Sequence, residues 1–284
     1  MIPKHRILEE GRPFDRPRTV VHSRSPMKSL SKPTASLRSV LTLVSIIATF
    51  AVNAWSNINP INGASIGEIS NTAFADVMIT PANYAFIIWG LIYIGLIAFG
   101  VYQLLPRQRD RSNLDPVRNA LIISSLAQIV WVFFFLFRNF WGSMVAMLVI
   151  LGALLYGYVQ RPTLPFRRDR WFVQRPLSVY LGWISVATIV NGAIACYGSG
   201  WTELGLGMPV WTVIMLAVAT LLGGYMAIAQ QDGVFSGVFV WAFVAIAVRQ
   251  AETQPVQTAA IIGAALVIIS MGIGQWQLLR SDRD

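Results

Sequence analysis

Charge is scarce in this chain. Only 12% of its 284 residues are Asp, Glu, Lys or Arg, while 55% are hydrophobic. Soluble domains carry about 25% charged residues, so the composition points away from a water-soluble fold. Cysteine is scarcer still. Cys196 stands alone, which excludes an intrachain disulfide and a cysteine zinc site. The two histidines, His5 and His22, both lie near the N-terminus. No membrane helix therefore offers an imidazole to haem iron or zinc. No metal ligands are expected, and no cofactor is required.

Two further absences narrow the function. The middle of every long apolar run lacks Asp, Glu, Lys and Arg, the groups that ion-coupled transporters and proton pumps place there. Nor can a Ser–His–Asp or Cys–His arrangement or a phosphate loop be assembled. Hydrolytic and metal-dependent enzymes are disfavoured.

What is present is length in apolar runs. A membrane helix needs about 20 largely apolar residues to cross ~30 Å of hydrocarbon. Eight runs qualify: 37–55, 82–105, 119–137, 141–159, 177–197, 208–229, 234–248 and 255–278. The seventh is the shortest. The fold class is thus all-α, a polytopic membrane helical bundle. Residues 1–36 read as a disordered basic arm, rich in Arg, Pro and Ser. Met27 is an alternative start. From there the first run can be read as a signal peptide ending at Val52–Ala54, or as a retained helix, the reading carried forward.

The net charge of +9 raises the question of nucleic acid, which the location of the charge answers. With the N-terminus inside, all of the 22 Lys and Arg residues except Arg138 and Arg249 fall in inner segments. This is the positive-inside bias. It orients the protein toward anionic lipid headgroups, and nucleic acid is not needed to explain it. Both termini are then expected in the cytoplasm. Gly223 and Ala227, or Ala259 and Gly263, allow close helix contacts, within the bundle or in a homodimer.

Residues 80–93, "TPANYAFIIWGLIY", open with a helix-start signal. Thr80 is expected to cap and Pro81 to occupy the first helical position. Trp89 and Tyr93 then share one face at i and i+4. Trp89 lies about 12 Å of helix rise past Pro81, below the interfacial belt where membrane Trp concentrates. In the third run Gln128 and Trp131 share a face. In the fifth, Tyr180 and Trp183 do so, with Asn191 two turns on. Each helix presents an aromatic with a hydrogen-bonding group. They serve as packing and interhelical bridges, or as the walls of a ligand cavity. The 56–79 connection is long enough to be functional.

At these three segments the chain resembles the tryptophan-rich sensory protein family, also called TspO or translocator proteins. Pro81, Phe86, Ile88–Trp89 and Tyr93 follow one family motif. Trp131 and Phe134–Phe135 follow a second, with Gln128 in place of an Asn. Tyr180, Trp183 and Val190–Asn191 follow a third, with Val179 in place of a Pro. The 56–79 loop lacks the family's Trp-Tyr and Lys-Pro pattern. The resemblance covers residues 37–198 and implies a five-helix translocator-like core whose cavity is closed by the first loop. Residues 199–284 then supply three additional helices and a short tail. It further implies a planar hydrophobic ligand, a tetrapyrrole such as a porphyrin first among them. The ligand-binding residues would be Trp89, Tyr93, Gln128, Trp131, Tyr180, Trp183 and Asn191. Sensing and regulation, transport of this or another lipophilic molecule, and light-dependent porphyrin breakdown through Trp radicals all stay open. The expected location is the plasma membrane of a bacterium.

Overall fold

The computed structural model describes residues 33–162, 166–201 and 205–281. Most of the expected basic arm, both candidate start residues, Glu203 and Arg283 lie outside the described residues. Every regular element is helical. The helices are α1 (Pro33–Ile58), α2 (Ile66–Thr72), α3 (Ile88–Tyr102), α4 (Asp115–Leu136) and α5 (Phe140–Val159). They continue with α6 (Arg175–Gly198), α7 (Met208–Ile228), α8 (Gly233–Arg249) and α9 (Gln254–Ser281). Among the described residues seven segments are long and apolar enough to cross a membrane, and α8 is a shorter apolar helix of 17 residues. The chain is an integral, multi-pass helical bundle.

The packing order explains the architecture. α1 packs on α3 and α4, α4 on α5, α5 on α6, and α6 back on α3. These five helices close a ring. α7, α8 and α9 form a triangle that joins the ring where α8 packs on α6. Gly182 permits that junction. A Cβ there would stand 3.0 Å from the Phe235 carbonyl oxygen and 3.1 Å from Val238 Cβ. The small residues that could have served a dimer are used inside the triangle. Gly223 faces Val267 and Phe239, and Gly263 faces Thr220 and Phe243.

Polar groups inside the bundle bond to backbone or to each other, as lipid demands. Thr49 of α1 donates its hydroxyl to Ser45 O at 2.8 Å or to Ser125 O of α4 at 2.9 Å. At the end where most of the arginines gather, Arg118 is fully buried. Its guanidinium donates to Gln103 Oε1 at 2.8 Å, Asp115 Oδ1 at 2.9 Å and Gln108 O at 2.9 Å. Asp115 also pairs with Arg38 of α1. This network ties α1 and the α3–α4 connection together before the chain enters the apolar zone.

The helix start at Thr80–Pro81 differs from expectation. A 3-10 helix, Asn83–Ile87, precedes α3, and Ala82 is extended at φ −60°, ψ 151°. The Thr80 hydroxyl is buried without a partner. The reason is tertiary: the Ala82 N–H, which a helix end would leave free, donates to Ala245 O of α8 at 3.1 Å. The depth of Trp89 survives, because a 3-10 turn rises faster, about 2.0 Å per residue, and Asn83 to Trp89 still spans about 11 Å.

Candidate functional site

The cavity of the ring lies under the 56–79 connection. The sequence reading left that connection without a helix, yet it folds α2. Ser65 and Glu68 form a capping box: Ser65 N–H donates to Glu68 Oε2 at 2.6 Å, and Glu68 N–H to Ser65 Oγ at 3.2 Å. The Ser-x-x-Glu spacing was a readable signal for it. Ile66 and Ser70 of α2 then roof a cavity walled by α3, α4, α5 and α6.

Four of the seven expected residues line this cavity: Trp89, Trp131, Trp183 and Asn191, joined by Thr80 and Phe86. Trp89 is the hub. Its ring stacks on Tyr93 with centroids 5.7 Å apart and planes 26° apart. It meets Tyr180 at 6.2 Å and Trp183 at 6.5 Å, both edge-on. Phe86 meets Trp183 edge-on at 5.9 Å. Such geometries suit the ring quadrupole and fix the indole planes.

The polar atoms divide into committed and free. Asn191 is committed. Its Oδ1 accepts from Trp131 Nε1 at 3.0 Å and lies 3.2 Å from Ser143 Oγ, while its Nδ2 lies 3.1 Å from the same hydroxyl. Tyr180 is paired with Ser124. The free atoms are the Trp183 indole N–H, the Thr80 and Tyr93 hydroxyls, and both amide atoms of Gln128. Of these, Trp183 and Thr80 touch the cavity, whereas Tyr93 and Gln128 are buried just outside it. An unpaired buried polar group costs about 1–3 kcal/mol, so four such residues around one cavity are an unusual concentration.

The cavity itself is small, about 50 Å³. Ligand pockets run to roughly 300–1,000 Å³, so in this conformation the aromatic walls are closed on one another. The segments over the cavity are also contacted from α8 and the residue that follows it, which the sequence did not connect to the site. Arg249 Nη1 donates to Asn71 Oδ1 at 2.8 Å, and Gln250 Nε2 to Met78 O at 3.1 Å. Trp241 Nε1 donates to Ala85 O at 3.0 Å. No sequence signal could have found these contacts, which join residues more than 150 positions apart.

This geometry agrees with comparison to known families. A family model described as TSPO-like protein matches residues 39–273. The chain belongs to the TSPO-like protein family. The match does not stop at residue 198: it continues through α7 and α8 and into α9, so α8 and its contacts to the segments over the cavity lie within the matched region. The family is generically associated with binding small hydrophobic ligands. No curated protein and no solved structure matches the chain.

Proposed function

We propose that this TSPO-like protein binds a planar hydrophobic ligand, a tetrapyrrole first among candidates, in the cavity between α3, α4, α5 and α6, for sensing, regulation or transport. The observation that carries the reading is the convergence of Trp89, Trp131 and Trp183 under the α2 roof, with the Trp183 N–H and Thr80 hydroxyl unpartnered beside them. Flat rings stack on indoles. The free N–H and hydroxyl would meet polar atoms at the ligand's edge. Seating such a molecule requires the closed cavity to widen, which brings the Tyr93 hydroxyl and the Gln128 amide within its reach. In this reading the five-helix ring, residues 37–198, is the binding unit and residues 199–284 hold its roof. The basic end faces the cytoplasm of a bacterial cell.

Protoporphyrin titrated into the detergent-solubilised full chain tests this, read by the shift of the porphyrin's own absorption band. Wild type should give a saturable shift. Trp183→Phe keeps an aromatic face but loses the unpartnered N–H and part of the indole ring, so affinity should fall roughly threefold to tenfold with a modest fall in melting temperature. A linear, unsaturable response, the same in wild type and variant, rejects the reading.

A further inference from the structure

A surface trough lies on the outside of the ring, at the basic end, where α3 passes α6. Leu91, Ile94, Gly95 and Ala98 of α3 and Pro176 and Val179 of α6 line an apolar trough of about 670 Å³. Gly95 keeps its floor low, since a Cβ there would stand 3.2 Å from Pro176 Cβ. The trough ends under Arg167, Arg168, Trp171 and Arg175. Beyond them opens a polar cavity of about 650 Å³, lined by Arg170, Gln174, Ser178, Gln230 and Gln231 and sharing Arg167, Trp171 and Arg175 with the trough. An apolar compartment and a polar one thus meet at a row of guanidinium groups.

The local backbone sets that row. Residues Arg170–Gln174 form a π-helical turn, whose i→i+5 bonding widens the helix and favours alignment of side chains four apart. Arg167, Trp171 and Arg175 are spaced in this way, and the Arg175 guanidinium lies 3.4 Å over the Trp171 ring. Among the described residues none of Arg167, Arg168, Arg170 and Arg175 forms an ion pair. Two carboxylates stand close to the row: Asp169, which is paired away from it, and Asp232, which lines the polar cavity and is engaged by neutral donors. Asp169 is fully buried, held by Arg111 Nη1 at 2.9 and 3.0 Å and by the Tyr102 hydroxyl at 2.6 Å. Asp232 accepts from the Tyr158 hydroxyl at 2.9 Å, the Ser178 hydroxyl at 2.5 Å and the Phe235 N–H at 3.0 Å. The site therefore carries net positive charge, four arginines against Asp232, beside an apolar trough.

We infer that this is a seat for an anionic phospholipid of the leaflet at the basic end. Its phosphate sits between Arg167 and Arg175, its headgroup in the polar cavity and one acyl chain in the trough. A zwitterionic lipid is the poorer occupant, because four arginines outnumber Asp232, the one carboxylate among the described residues lining the polar cavity, and three donors already engage it. Trp171, half exposed at the junction, sits where interfacial Trp belongs.

Native mass spectrometry of the purified, delipidated full chain, mixed with equal amounts of dioleoyl phosphatidylglycerol and dioleoyl phosphatidylcholine, tests the assignment. Phosphatidylglycerol should be retained over phosphatidylcholine by roughly thirtyfold, from two basic contacts near the surface. Arg167→Gln with Arg175→Gln should abolish that preference. Arg167→Lys with Arg175→Lys, which keeps the charge, should retain most of it. Ala98→Phe, which fills the trough and leaves the arginines intact, should lower phosphatidylglycerol retention. Equal retention of the two lipids in wild type overturns the proposal, as does an undiminished preference in the double Gln variant. Displacement of the lipid by an equal concentration of glycerol 3-phosphate overturns it too, by showing that the trough contributes nothing.

Discussion

Trp131 donates its indole N–H to Asn191 Oδ1 at 3.0 Å, across the cavity from α4 to α6. Ser143 of α5 lies within bonding distance of both amide atoms. One buried amide thus fastens three helices of the ring. Asn191→Ala leaves the indole N–H without a partner in an apolar setting. The expected cost is about 1–3 kcal/mol, visible as a lowered melting temperature in detergent. Any loss of ligand in this variant should come with that loss of stability.

The roof of the cavity is held from α8, and that hold is polar. Arg249 reaches Asn71 of α2 and also lies 3.4 Å from Pro81 O. Arg249→Ala removes both contacts and leaves every cavity-lining side chain in place. If ligand access requires the roof to lift, porphyrin association measured by stopped-flow absorption should speed up severalfold. An unchanged association rate would show that access runs elsewhere.

Gly182 sets the distance between the ring and the triangle. Gly182→Leu would drive a branched side chain into the Phe235 carbonyl and Val238. Overpacking of this kind costs about 1–3 kcal/mol. The thermal midpoint should fall, and protection of the 56–79 connection against proteolysis should fall with it, because α8 carries both contacts.

The pH response of α2 follows from its capping box. The Ser65 backbone N–H, and after it the Ser65 hydroxyl, hold the exposed Glu68 carboxyl below its ordinary value. A lowered folded-state pKa means the contribution is full above the ordinary carboxylate range and is lost as pH falls through the lowered value. Amide exchange across Ile66–Thr72, corrected for intrinsic rates, should lose protection on acidification. Glu68→Gln should flatten that dependence.

Much of the fold was legible because lipid enforces it. Long runs such as 141–159 and 208–229 have only the helix as a way to satisfy their backbone in hydrocarbon, and the observed α5 and α7 follow them closely. The pairing of Trp89 with Tyr93 was legible too, since i and i+4 share a helix face whatever surrounds them. Thr80–Pro81 shows where such reasoning fails. Its residues spell a helix cap, yet the Ala82 N–H goes to Ala245, a partner 163 positions away.

The sequence by itself determined the class of the molecule: membrane-spanning, helical, strongly basic in alternate connections between its apolar runs, and without histidine or paired cysteine in those runs. Those properties rest on composition and on local hydrogen bonding, which need no knowledge of neighbours. Only the tertiary structure decided which polar atoms are free. Asn191 is committed to Trp131 while Trp183 keeps an unpartnered N–H, because a hydrogen-bonding side chain takes whichever partner the packing of its helix brings within 3 Å.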